Sequence, residues 1–464
     1  MKILHVTLVA LALTGCGSLM KTDYKRPELT IPTQWSTQES GSDWFVHSHH
    51  WWTVFSDPQL SQAIDDVLIR NNDLAIAGFR LQQAWLDSHL SDTNLTPDVS
   101  VLGSTNNNKN IRRNTESSEN YSSSVNLSYE VDLWGKLART REQSAWQAEA
   151  SELDRQNTAL ILIGNTAQYY WQIAGFNQKV VNSDRSLGLA KETEAITKSR
   201  FAAGAVSQLD VLQATQSVLD QENSLKDLVQ QREEARNALA ILFNRPPSMR
   251  LPERDALDLT QSITLKADLP VEVIAHRPDV QSAERDLRAA LAGSDVAALN
   301  FYPTLSLSAA LSVGSSVFSQ WFADPMRAVG SSVALPFVQW NTVQLTIARS
   351  KLDVKVAASL FQKTVYIALS DVEKSLTQRQ KWTQQRENAL LSLTLSQHRL
   401  ALAKSQYLAG AVSIQTWLDA QNNLLTVENQ LSDIQYNYLN STMQLWLAMG
   451  GEAIPELPSA KEFT

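Results

Sequence analysis

The chain has 464 residues, and its glycines (16) and prolines (14) make up only about 6% of it, roughly half the usual share. That excludes a string of compact domains rich in turns and points to long uninterrupted elements. Lys plus Arg (40) against Asp plus Glu (48) leaves a net charge of −8, with no dense basic run, which excludes a general binder of nucleic-acid phosphates.

Residues 1–15 carry Lys2 and an apolar run from Ile3 to Leu13, far short of the roughly 18 to 20 residues that span a bilayer as a helix, and read as a signal peptide. The run ends in Leu13-Thr14-Gly15-Cys16, which resembles the bacterial lipobox, so Cys16 is expected to carry a covalent lipid. It is the only cysteine, which excludes an intramolecular disulfide in an exported chain. Gly17 rather than an aspartate follows it, which in this class of signal implies delivery to the outer membrane. Residues 16–56 form the anchored N-terminal segment. Within it, His47-Ser-His49-His50 has no cysteine or carboxylate at ligand spacing and reads as a solvated stretch rather than a metal site.

From there the chain is duplicated. Slid against itself by 206 residues, it aligns Ser199–Asn244 with Ser405–Gly450 at 14 of 46 identical positions, and Pro97 with Pro303. The two units, 57–262 and 263–456, are followed by a tail, 457–464. At about 200 residues each, they are too long for solenoid repeats and read as one duplicated element within a single fold. Each has the order helix, strand, strand, very long helix, tight turn, helix.

In the first unit a helix is expected over Ser61–Thr96, stopped by Pro97. Strands alternating apolar and polar residues with period two are expected at about 98–106, 122–132, 303–313 and 329–337, with Pro336 weakening the fourth. The connection 106–124 is polar, whereas 314–327 contains Phe318, Trp321 and Phe322; these either lie at a pore mouth, sit at headgroup level, or pack on a neighbouring loop. Helices without proline follow at 136 to about 202 and at 343 to about 409, rods of roughly 100 Å. In the last helix Trp417, Leu424, Leu431, Tyr438 and Leu445 recur every seven residues, with Ala420, Val427, Ile434, Ser441 and Ala448 three behind each, a coiled-coil seam. The first unit is looser: Arg232 interrupts the row Val211, Val218, Leu225, Leu239 and must find its own partner.

Four alternating strands in an exported, lipid-anchored chain fit a share of a transmembrane barrel, but four cannot close, and an open edge in hydrocarbon is costly. Two chains would supply eight strands and three would supply twelve. Glu130 and Asp132 fall on the side of their strand facing a lumen, or are merely solvated. No hydrolase, metalloprotease or phosphate-binding motif is present, and the chain reads as a non-enzyme without a cofactor beyond the lipid on Cys16.

The order Cys16, Asp23-Tyr24-Lys25-Arg26-Pro27, Trp51-Trp52-x-x-Phe55-x-Asp57-Pro58-x-Leu60, Asn72-x-Leu74 and Tyr129-Glu130-Val131-Asp132-Leu133-Trp134-Gly135-Lys136 resembles the TolC-like outer-membrane factor family, its NodT-like lipoprotein branch best. The resemblance implies a mixed α+β membrane protein: a homotrimer in the outer membrane of a Gram-negative bacterium, twelve strands forming a barrel in lipid and twelve helices a periplasmic tunnel. Its partners would be a periplasmic adaptor and, through it, an inner-membrane transporter, with small molecules as cargo. Carried over by residue, Ala203-Gly204-Ala205-Val206-Ser207 and Ala409-Gly410-Ala411-Val412-Ser413 become adaptor-contacting helix tips. Asp419 matches a constriction carboxylate; Thr416 stands where a second is usual, and Asp210 holds the corresponding place in the first unit. Tyr407 matches a tyrosine of the closed state, and Phe337-Val338-Gln339-Trp340 replaces a usual glycine pair. A carboxylate ring at a throat would favour cations; helix capping is the alternative for both acids, read here as lying in the first turn after each tip. The other functions weighed are the outer channel of a type I protein-secretion system and a lipid-anchored coiled-coil spacer without a pore.

Overall fold

The computed structural model describes residues 20–36, 50–109, 112, 117–259, 263 and 270–451. Cys16, the signal peptide, His47, His49 and the tail after 456 lie outside the described residues. In chain order the elements are α1 (Pro58–Arg70), α2 (Asn72–Asp92), β1 (Asp98–Asn108), β2 (Ser118–Val131), α3 (Lys136–Ala202), α4 (Gln208–Leu242), α5 (Pro270–His276), α6 (Pro278–Leu299), β3 (Thr304–Ser315), β4 (Pro325–Ala334), α7 (Trp340–Leu408) and α8 (Ile414–Ala448).

The long helices stand where the absence of proline placed them, but the expected first helix is two. Asn71 is extended (φ −70°, ψ 131°), and its side-chain oxygen accepts from the Asp73 and Leu74 N–H groups (2.8 and 3.2 Å), starting α2 afresh. Its Nδ2 donates to the carbonyl of Leu242, the last residue of α4 (2.8 Å). Helix α2 thus stands on the end of α4, and a carbonyl otherwise orphaned at the terminus is satisfied. The same splice recurs 206 residues on with different chemistry. Arg277, also extended, precedes α6 and donates from its guanidinium to the carbonyl of Ala448, the last residue of α8 (3.2 Å).

The helices therefore form a layer of four columns: α2 on α4, then α3, then α6 on α8, then α7. The columns are zipped by the expected seam. Trp417, Leu431, Tyr438 and Leu445 are buried with Ala420, Val427, Ser441 and Ala448, while Leu424 and Ile434 are half-buried. In α4, Val218 and Leu239 are buried, Val211 and Leu225 half-buried, and Arg232 donates to Asn177 (3.3 Å) beside Glu233.

At mid-height a belt wraps one face of this layer. Trp51 stacks on Trp446 (5.0 Å between rings), Phe55 packs on Trp171 (4.8 Å), and both Trp51 and Trp52 are buried. Asp57 caps α1 through Gln59 and Leu60 N–H (3.1 Å each) and pairs with Arg254 (3.1 Å), so the tryptophan-rich motif is the anchor of the belt. Residues 20–36 run as a strap along α6 and α7. Tyr24 donates to Glu284 (3.1 Å) beneath the Arg288 guanidinium (4.3 Å), its phenol pushed up to about 12 by partial burial and by the Glu284 charge.

The strands form one antiparallel sheet in the order β1-β2-β3-β4. They run further outward than the alternation indicated. Asn106 pairs with Asn120 and Asn108 with Ser118, because ladder bonds belong to the backbone and do not require apolar side chains. At the other end β4 stops at Ala334 rather than 337, and Pro336, which has no N–H to give a ladder, heads a short 3-10 turn over Pro336–Val338.

Sheet and helices open on the same flanks: β1, α2 and α4 on one side, β4 and α7 on the other. Both outer strands are exposed throughout, and Phe79, Leu86 and Leu90 on α2 and Leu345, Leu352, Val356 and Leu360 on α7 are exposed apolar residues along those flanks.

Replacing Asn71 by alanine removes both the α2 cap and the bond to Leu242. A loss of about 1–2 kcal/mol is expected, read as a lower thermal midpoint of the detergent-purified protein, while Asn72→Ala, one residue on, should cost much less.

Candidate functional site

The register sorts the sheet into two faces by residue number. Val99 opposes Leu127, Leu127 opposes Ala309, and Ala309 opposes Val329, so odd-numbered residues share one face on all four strands. That face carries Val99, Val101, Val125, Leu127, Leu307, Leu311, Val329 and Val333, all exposed. An apolar surface of this extent is disfavoured in water and matched to hydrocarbon. The even face is lined mainly by hydroxyls and amides, Ser100, Ser104, Ser122, Ser124, Asn126, Ser128, Ser306, Ser308, Ser312 and Ser332, with small Ala and Gly residues between them and Leu102 and Met326 as the larger apolar ones. The Ser104 and Ser122 hydroxyls bond each other across the strands (2.8 Å). This is a wettable wall with almost no charge.

Of the three places open to the loop aromatics, packing on the neighbouring hairpin is the one the contacts show. Phe318 and Trp321 gather on Tyr121 (5.4 Å each), an odd-numbered residue at the outer end of β2, and Phe322 stacks on Trp321 (5.5 Å). At the inner end Trp134 packs on Tyr302 (5.3 Å) and donates to the Pro303 carbonyl (2.8 Å). The ten or so residues of tilted strand between these belts match an apolar band about 25 Å tall.

The two acids expected on the lumen side of β2 are engaged locally. Asp132 accepts from the Leu137 and Ala138 N–H groups (3.1 and 2.8 Å), capping α3, and Glu130 pairs with Lys136. Between them the chain turns through Gly135 (φ 80°), a conformation that favours glycine. The second strand-to-helix junction has no such glycine and avoids positive φ altogether, passing through the Pro336–Val338 turn.

At the far end the two helix tips are built alike. Gly204 and Gly410 have φ of 75° and 76°; Ala205 N–H donates to Arg200 O and Ala411 N–H to Gln406 O, 2.9 Å each, closing both helices with the same left-handed cap. The fold brings these tips together around a cleft of about 560 Å³, lined among others by Arg200, Ser207, Asp210, Tyr407 and Ser413. Arg200, which no sequence pattern singled out, is the clasp: it donates to the Tyr407 carbonyl (2.9 Å) and lies over the Tyr407 ring (4.7 Å). Tyr407 is buried against Trp417 (5.1 Å), and its hydroxyl has no hydrogen-bond partner among the described residues.

The carboxylates separate. Asp210 stands in the first turn of α4 and forms a capping box with Ser207: it accepts from the Ser207 N–H (2.7 Å), and its own N–H donates to Ser207 Oγ (3.3 Å). Thr416 takes the equivalent place in α8, where Ser413 makes no side-chain cap. Asp419 is a full turn further along than the sequence reading put it: it is the sixth residue of α8, exposed, and held by Gln415 Nε2 (2.7 Å). It does not line the cleft with Asp210.

The outer membrane efflux protein profile matches residues 63–245 and again 269–451, each bound of the second match 206 residues beyond the first. Over 97% of its length the chain is 27% identical to "Toxin and drug export protein A" of Aggregatibacter actinomycetemcomitans, covering 98% of that protein. It is 28% identical over 96% of its length to the "Cation efflux system protein CusC" of Escherichia coli K12, covering 98% of it. In three dimensions it superposes on the CmeC outer membrane channel of Campylobacter jejuni with a TM-score of 0.81 and 25% identity, spanning 96% of this chain and 97% of that one. With more than half its residues matched, and matched twice in the register of its own duplication, the chain belongs to the outer membrane efflux protein family.

Proposed function

We propose that the protein is one subunit of a lipid-anchored homotrimer that forms the outer-membrane exit duct of a tripartite efflux pump. The observation that carries this reading is the shared open flanks. Strand β4 runs antiparallel to β1 of any copy placed beside it, so each copy continues the sheet of the last while α7 meets the next α2 and α4. Two copies would make eight strands, a barrel whose interior side chains fill; three make twelve, which leaves a duct. The twelve helical columns then continue the duct into the periplasm.

The paired tips suit a periplasmic adaptor that bridges to an inner-membrane transporter. The left-handed glycines leave open space where a side chain would project, so a partner can approach the backbone. Similar chains are named for toxin and drug export, pyoverdine export and cation efflux. Cargo thus varies across one architecture, as expected if the transporter chooses it, and small molecules are the cargo assigned here. The strap supports the anchor: Lys21 pairs with Glu142 (3.0 Å) and Thr22 bonds Asp295 (2.6 Å), which hold the chain five residues after Cys16 at the barrel end of the helices.

Single-channel recording on the purified protein tests the duct. Discrete cation-selective steps are expected, with Asp419→Ala weakening both cation preference and block by divalent cations. Asp210→Ala should instead destabilise the tip by about 1 kcal/mol. No conductance from folded, oligomeric protein would return the chain to a periplasmic spacer. Gly410→Val places a branched residue at φ 76° and should reduce recovery of the adaptor in cross-linking while leaving conductance intact. Cys16→Ser should abolish palmitate labelling; labelling that persists would remove the anchor.

A further inference from the structure

A second cavity, of about 500 Å³, lies at mid-height where α6 stands on α8, flanked by α3 and α7. It opens on the face of the helical layer away from the strap. The strap bonds Gln362, Tyr366 and Glu373 of α7, whereas the cavity takes Ile367, Asp371, Lys374 and Gln378. At 100° per residue these two stripes lie about 130° apart around the helix. The strap leads to the lipid, which has to be outside the barrel, so the cavity opens inward, into the duct.

Its lining has two characters. Ile161 and Ile367 are exposed apolar residues that, with Leu160 and Leu447, form one wall. The other is charged but incompletely paired. Arg277, 9% exposed, is bidentate on Asp279 (2.9 and 2.7 Å), which neutralises that pair. Asp371 receives only one further bond from the same guanidinium (3.2 Å), and its side chain remains 46% exposed. Lys374, one turn on and exposed, forms no ion pair among the described residues. A half-exposed carboxylate that shares one guanidinium with Asp279, and an ammonium with no ion pair among the described residues, therefore stand on a single stripe beside an apolar wall.

We propose that this recess is a way-station for amphiphilic zwitterions: the ligand's ammonium on Asp371, its carboxylate on Lys374, and its apolar body against Ile161, Ile367 and Leu447. The volume lies in the range of small-molecule sites. Balanced charges favour a dipolar solute over a purely anionic or cationic one, and the shallow, wet setting favours brief residence over retention. This reading rests on the exit-duct assignment, because only then does the recess face passing cargo. The barrel above, with its uncharged hydroxyl lining, would not repeat the discrimination.

Ampicillin, which carries an ammonium, a carboxylate and an apolar body, is the probe, and benzylpenicillin, which lacks the ammonium, the control. In single-channel recordings ampicillin should interrupt the current, with dwell times shortened about tenfold in Asp371→Asn or Lys374→Gln. Benzylpenicillin interruptions should be shorter, and Asp371→Asn, which removes a like charge, should not shorten them further. Asp419→Ala should leave the ampicillin dwell time unchanged, which separates the recess from the tip. Equal dwell times in wild type and both variants would overturn the proposal while leaving the duct standing. If the protein gives no conductance the duct reading fails instead. Saturation-transfer NMR of ampicillin with the detergent-solubilised protein then decides the site by itself: a signal lost in Asp371→Asn retains it, and one unchanged by the substitution rejects it.

Discussion

Unpaired backbone at a sheet edge governs this structure. In hydrocarbon no water is present to bond an open strand, and each exposed group costs several kcal/mol. Strands β1 and β4 are such edges, and a four-stranded sheet with an apolar outer face has no closed form of its own. Much else follows from that demand for neighbours: the helical layer opens along the same flanks as the sheet, and its exposed leucines and phenylalanines lie where the next copy would stand.

Duplication supplies the second organising constraint, and its exceptions are informative. The splice between stacked helices needs a donor for the last carbonyl of the helix below. Asn71 supplies an amide and Arg277 a guanidinium at equivalent positions. The arginine brings charge, which draws in Asp279 and Asp371 and makes a polar recess in the second half where the first has a neutral joint. The tips show the same divergence. Both turns are closed by a left-handed glycine, but Asp210 completes a capping box that Thr416 cannot. The two strand-to-helix junctions differ as well: one pivots on Gly135, and the other takes a route that needs no positive φ.

Charge is distributed unevenly along the molecule. The barrel wall is hydroxyl and amide, and the acids at its inner mouth are spent on a helix cap and an ion pair. Lower down, Asp371 on the helical wall shares the Arg277 guanidinium with Asp279 and stays half-exposed, and Asp419 near the tips is exposed and held by Gln415.

Local physics made much of this legible in the residues alone. Lack of proline set both long helices, alternation of Val and Leu with Ser and Asn set the strands, and a repeated Ala-Gly-Ala-Val-Ser set both tips, because each is a rule about neighbours along the chain. The break at Asn71 was not legible, since its side chain answers to a carbonyl 171 residues away. Nor was Arg200, whose partner is the Tyr407 carbonyl, 207 residues distant. Asp419 was misplaced by a turn because the helix start depends on how the tip closes. The sequence by itself determined the elements, their repetition and the two-faced strands. Only the tertiary structure decided which ends stack, which acids are paired and which stripes of the helices the strap covers, because those depend on partners far along the chain that meet only when the layer assembles.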